Sequence, residues 1–186
     1  MNTPQETPIT ASPESLAAGR AYQQTLLAAL GEDDPADTQA ATPAILRALV
    51  DEAGGDLRTR PESDEWSAVE LIGHMVDAEL ASSVRYRWIL AQDEPDLVPY
   101  DQDDWAARFH SIDEPLEALL PLFDALRAAN LRLWREASAA DRARVGQHLE
   151  RGPESYDLTF RLLAGHDRVH ASQALAGLAR IRARRG

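Results

Sequence analysis

The sequence predicts an all-α fold, a bundle of amphipathic helices. Three observations carry that expectation. Apolar residues recur at three- and four-residue spacing over several long stretches, the period of a helix with one buried face. Helix start and stop signals bracket those stretches. No stretch alternates apolar and polar residues for long enough to read as a strand.

In chain order, residues 1–11 are polar, contain two prolines and read as a disordered tail, so the bundle domain is expected over 12–186. Ser12-Pro13 places a capping residue before a proline at the first helical position. The helix it opens runs to about residue 30, with Leu16, Tyr22, Leu26, Leu27 and Leu30 as its stripe, and Gly31 ends it. Residues 32–41 are acidic and turn-rich and read as a loop. Thr42-Pro43 repeats the start signal, and Ile45, Leu46, Leu49 and Val50 carry a second helix to Gly54-Gly55. Ser67 and Glu70 form the S-x-x-E capping box of a helix over 67–90. Its ridge is Ile72, Val76, Leu80, Val84 and Trp88, and Leu71 and Met75 widen it, which places this helix centrally. Residues 92–104 form an acidic loop that lacks the central Gly and terminal Glu of an EF-hand, with Trp105 packing back on the bundle. Asp113 is expected to cap a helix over 113–136, which Pro121 should kink. Residues 140–156 read as a second loop, and 157–182 as the last long helix.

Composition narrows the function. There is no cysteine, so disulfides and thiolate ligands are excluded, and a metal would have to be held by His, Asp or Glu. All 19 basic residues are arginine. A net charge of −12 argues against nucleic acid and against anionic membranes as partners. No secretory signal and no membrane-spanning run is visible, so a cytoplasmic location is expected.

The chemistry-bearing residues are histidines. His166 and His170 stand four apart, which on a helix separates them by about 40° and about 6 Å, so both rings leave one face. That face also carries Leu162, Leu163, Val169 and Ala174 and therefore meets a core. Two imidazoles in a core are satisfied either by hydrogen bonds or together by a divalent metal. His74 lies among small residues, Gly73, Ala78 and Ala81, with Asp77 three positions on as an acceptor that could orient its ring. Taken alone, His74 reads as a hydrogen-bonded core histidine. His148, in a loop, could approach a site, but it and His110 read more simply as solvated. No phosphate-binding loop, nucleophile elbow or H-E-x-x-H motif is present.

In order, the chain contains Trp66-Ser67-x-x-Glu70, His74 with Asp77-Ala78-Glu79, Arg85, an acidic loop before Trp105, and Gly165-His166-Asp167-Arg168-x-His170-x-x-Gln173. Over roughly residues 42–182 this set resembles the DinB superfamily, the DinB/YfiT-like metalloenzymes. The resemblance implies a four-helix bundle, here with an N-terminal extension, and a divalent metal between helices with His74, His166 and His170 as its ligands. It implies a small-molecule substrate and either hydrolysis or transfer of a low-molecular-weight thiol of the bacillithiol type. Homodimers are common among such proteins. Zinc is the preferred ion, with nickel, iron or manganese as alternatives that imidazole ligands also accept. Asp77 and Asp167 are the candidate catalytic or ring-orienting acids, and Glu79 and Arg85 are expected to pair along their helix. A non-catalytic bundle that binds a metal or ligand in a DNA-damage or stress response is the reading from another class.

Overall fold

Four long helices close into a ring in the computed structural model of the chain, which describes residues 13–110 and 112–185. They are α2 (Pro35–Ala53), α3 (Ala68–Ala91), α5 (Leu116–Glu136) and α7 (Tyr156–Ala183). Around the ring α7 packs on α3, α3 on α5, α5 on α2, and α2 on α7, so α2 and α3, consecutive in the chain, sit nearly diagonal. The extension supplies α1 (Pro13–Leu30), which lies along α7 outside the ring. Between the long helices come α4 (Gln102–Phe109), the single-turn α6 (Ala139–Arg142), and three short strands. No described helix is long and apolar enough to cross a membrane. The expected disordered tail at 1–11 and the Ser12 cap lie outside the described residues.

Local chemistry explains several of the boundaries. The Ser67–Glu70 box is complete: Glu70 N donates to Ser67 Oγ at 3.4 Å and Ser67 N to Glu70 Oε2 at 2.9 Å. Helix α7 is capped by Ser155, whose Oγ accepts from Leu158 N at 3.0 Å. Helix α5 differs from expectation, because it starts at Leu116 after Pro115 and Asp113 lies before it. Proline at 115 disfavours helical backbone at the residue before it, which moves the start downstream. Helix α5 then runs unbroken through Pro121, which is exposed, so the carbonyl it deprives of a partner faces water.

Helix α2 is the larger departure. It begins at Pro35 with Asp34 as its cap, Oδ1 accepting from Ala36 N at 2.8 Å and Asp37 N at 3.0 Å. The expected loop over 32–41 is therefore mostly helix, and Pro43 is internal. A proline there removes the bond to the carbonyl four residues back, that of Gln39. Arg127 fills the gap, Nη1 donating to Gln39 O at 2.9 Å.

The expectation of no strands also fails. β1 (Asp96–Leu97), β2 (Val145–His148) and β3 (Gly152–Ser155) form a small sheet in the order β1-β2-β3. β1 runs parallel to β2, pairing Leu97 with His148, and β2 runs antiparallel to β3. These strands are at most four residues long and rich in polar side chains, too short for an alternating pattern to show. Trp105 belongs to α4 and stacks on its own segment, 4.4 Å from the Tyr100 ring and 5.8 Å from Phe109.

The core has two apolar ends and a polar middle. One end gathers Leu46, Leu49, Ile72, Met75, Phe123 and Leu178. The other gathers Tyr86, Ile89, Leu97, Trp134, Tyr156 and Phe160, with Trp134 and Phe160 stacked at 4.0 Å. Along each ring helix the residues between these clusters are polar: Gln39 and Thr42, His74 and Glu79, Arg127 and Asn130, and His166 to His170. This layer misdirects the reading of α3. Leu80 and Val84, expected on its buried ridge, are exposed, while Glu79, Ser82, Ser83 and Arg85 face inward.

Helix α1 is held by a close approach at Gly165. A Cβ at that position would meet Leu26 O at 2.0 Å, so the α1 backbone occupies the space of a side chain on α7. Gly165→Ala is expected to push α1 off α7, costing about 2–3 kcal/mol and lowering Tm by roughly 5–10 °C. Thermal unfolding with limited proteolysis checks this, and an unchanged Tm with α1 still protected would refute the packing.

Candidate metal centre

His74 comes from the middle of α3, and His166 and His170 from adjacent turns of α7. All three are buried, at 1%, 7% and 8% exposure. The His170 ring meets the other two edge to face, with centroids 4.7 Å from His74 and 4.3 Å from His166, while His74 and His166 are tilted at 49° with centroids 4.9 Å apart. One nitrogen from each lies within 4.8 Å of the other two, and the Nε2 atoms of His74 and His166 are 3.0 Å apart. Two imidazole nitrogens on a tetrahedral ion at bonds of about 2.0–2.1 Å stand roughly 3.3 Å apart, so small ring movements suffice for coordination.

The protonation chemistry agrees with that use. Burial pushes His74 down to about 3, with His170 and His110 adding to the effect. Burial, then His170 and His74, holds His166 well below the ordinary histidine range. His170 is lowered by burial, partly offset by its bond to Gln173 and by Asp167. Three neutral imidazoles therefore face one another. His170 Nδ1 lies 2.9 Å from Gln173 Oε1, an acceptor, which puts its proton on Nδ1 and leaves Nε2 as a bare lone pair. That Nε2 and His166 Nδ1 are buried polar atoms with no hydrogen-bond partner. Three buried rings that each bring one nitrogen toward a common point, with a free lone pair on His170 Nε2, are what a three-histidine metal site requires.

The expected acids are placed differently from the reading above. Asp77 does not orient His74. Its Oδ2 lies 2.7 Å from His110 Nε2, and this bond, supported by the Asp77 charge, raises the His110 pKa against the effect of burial. The space beside His74 left by Gly73 is filled by the His110 ring, which a Cβ at Gly73 would meet at 2.5 Å. His110, read as a solvated loop residue, is thus packed against α3. Asp167 is buried and accepts from Thr42 Oγ1 at 2.7 Å and from Arg127 Nη1 at 2.6 Å.

Arg127 is the centre of the polar layer. Its Nε and Nη2 also donate to Glu79 Oε2, at 3.0 and 2.7 Å. Asn130 Nδ2 donates to the other Glu79 oxygen at 2.7 Å and to Ser83 Oγ at 2.6 Å. Glu79 therefore pairs with Arg127, not with Arg85 as expected. Burial works against the Arg127 charge, and Asp167 and Glu79 more than reverse it. Two carboxylates against one guanidinium give this layer a formal charge of −1 beside the histidines, favourable to a cation there.

A cavity of about 480 Å³ reaches the triad at His166, bounded by α1 through Gly19, Tyr22 and Leu26 and by α3 through Ala78 and Ser82. The sequence profile of the DinB superfamily matches residues 36–174, which reaches into all four ring helices and includes the triad. The chain belongs to the DinB superfamily. Among curated relatives of this superfamily member, a protein of Oceanobacillus iheyensis is 27% identical over 129 residues, covering 69% of this chain and 74% of the relative. One from Geobacillus kaustophilus is 28% identical over 147 residues, covering 77% and 80%. Both are named as candidate metal-dependent hydrolases. Among solved structures, YfiT from Bacillus subtilis superposes with a TM-score of 0.70 at 19% identity, covering 97% of this chain and 93% of that one. YfiT is described as a candidate metal-dependent hydrolase with an unusual four-helix bundle topology. At that identity the likeness speaks for the fold. The matched profile begins at residue 36, after α1, whereas the superposition on YfiT spans nearly the whole chain.

Proposed function

We propose that this DinB superfamily protein is a metal-dependent hydrolase of small molecules, with His74, His166 and His170 holding a divalent ion, zinc by preference. The observation that carries the reading is the convergence of three buried, neutral imidazoles, with His170 Nε2 left without a protein partner. The names of the curated relatives support it. When bound, such an ion keeps its full charge on neutral ligands and supplies Lewis acidity to an oxygen or sulfur ligand.

The chain's own residues divide the remaining work. Gln173 holds the His170 ring in the tautomer that presents Nε2. The Arg127 layer fixes α7 against the other ring helices, so the triad is held on rigid elements. His166 alone of the triad lines the cavity, which gives a small molecule a route to the centre. That route favours turnover over the non-catalytic reading, which needs a closed site. Transfer of a low-molecular-weight thiol is the finer alternative, since a thiolate is a natural ligand for the same ion.

The test uses protein purified without a histidine tag. Elemental analysis is expected to find a near-stoichiometric divalent ion. The loaded protein should hydrolyse a panel of activated esters and amides, or consume a thiol against an electrophile, and chelation should stop it. Protein that retains no ion, or equal rates before and after chelation, would overturn the reading.

A further inference from the structure

The cavity that reaches His166 has a second chemical end. Arg85, on α3, lines it and is 7% exposed. Its one hydrogen bond among the described residues is from Nη2 to Val98 O, at 2.8 Å, although a guanidinium carries five N–H donors. None of the ion pairs among the described residues involves it. Glu154, the buried acid of β3, is taken by Arg151 Nε at 2.5 Å and by Gln23 Nε2 at 2.8 Å. Arg127, similarly buried, has two carboxylates. Arg85 has the Tyr100 ring 6.0 Å from its guanidinium carbon and feels Glu154 from a distance, but it has no contact ion pair among the described residues. A buried guanidinium without one is costly unless something supplies it. Burial, with Arg151 adding to it and Glu154 only partly opposing it, holds Arg85 below its ordinary range.

His148 supplies an independent observation. It lines the same cavity and is 2% exposed, not solvated as its loop-like sequence context suggests. Its Nδ1 accepts from Glu150 N at 3.2 Å, which puts the proton on Nε2, and that Nε2–H has no partner. The sheet brings the two groups together. Leu97 pairs with His148 across β1–β2, and the next residue, Val98, holds Arg85.

We propose that this end of the cavity binds the carboxylate of a small-molecule ligand, with Arg85 as its counter-charge and His148 Nε2–H as a donor. Arg151 also lines the cavity but is paired with Glu154, so one unpaired positive charge and one neutral donor remain, which match a monoanion. A phosphate dianion would bring a second charge with no counterpart, into a cavity also lined by the exposed Asp101 and Glu150. As a statement about substrate, the inference rests on the functional reading above, and it adds that the substrate is an acid whose remaining length reaches toward His166.

Isothermal titration of the full chain, stripped of metal by chelation, with benzoate, its uncharged isostere benzamide and inorganic phosphate tests the site. Benzoate is expected to bind at least about tenfold more tightly than either other probe, and Arg85→Gln to weaken it about tenfold or more. His148→Phe is expected to weaken it about three- to tenfold. If Arg85→Gln fails to fold, the probe comparison and His148→Phe decide. Equal binding of benzoate and benzamide, tighter phosphate, insensitivity to either substitution, or benzoate binding only after the ion is restored would each overturn the proposal. A retained ion with no benzoate binding would remove this site and leave the metal centre. Benzoate binding to protein that never holds an ion would do the reverse.

Discussion

Replacing His166 by alanine is expected to abolish metal retention and, with it, turnover. The residue supplies one of three converging rings and is the one that lines the cavity. Loss of a partner outside the coordination shell already weakens metal sites 10- to 100-fold, so loss of a ligand should exceed about 100-fold. Elemental analysis after dialysis reads this directly. Calorimetry gives a second readout, because an ion at about a thousand times its Kd stabilises the native state by about 4 kcal/mol. The wild type should show that ion-dependent rise in Tm and His166→Ala should not. A variant that keeps its ion and its full rate would dissolve the triad as a metal site.

The second large effect is expected at Arg127. Arg127→Met leaves Glu79 and Asp167 buried side by side with no cation, and breaking a buried pair in this way costs about 3–5 kcal/mol. In a chain of this size that is a fall in Tm of roughly 10 °C or more. The cause is separable from lost packing, since methionine keeps most of the volume. Adding Glu79→Gln to Arg127→Met should recover part of the loss, a non-additivity expected only if the uncompensated charge is responsible. A single variant within about 1 kcal/mol of wild type would show that the network contributes little.

What could be read from the residues alone was what is encoded locally. The Ser67–Glu70 box closes within four residues, and the pairing of His166 with His170 follows from helical geometry. What could not be read depends on distance in the chain. Arg127 meets Glu79 across 48 residues and Asp167 across 40, and nothing around Arg127 distinguishes it from a solvated arginine. Pro43 looks like a helix start because the compensation for its missing N–H comes from Arg127, 84 positions on from the proline itself (127 − 43). Leu80 and Val84 mislead for a related reason. The middle of this bundle is ionic, so hydrophobicity no longer marks the inward face. His110 and His148 look solvated in sequence because their burial is imposed by α3 in one case and by the small sheet in the other. Gln173 was visible in its motif, but its role needed the rotamer of His170.

The wall that α1 lends to the cavity has a further consequence. The triad and its ionic brace come from α2, α3, α5 and α7, and the wall that α1 presents to an incoming molecule comes from the helix that precedes them in the chain. Redrawing that terminal helix can therefore reshape one wall of the pocket while the histidines, and the Arg85 and His148 end, stay as they are.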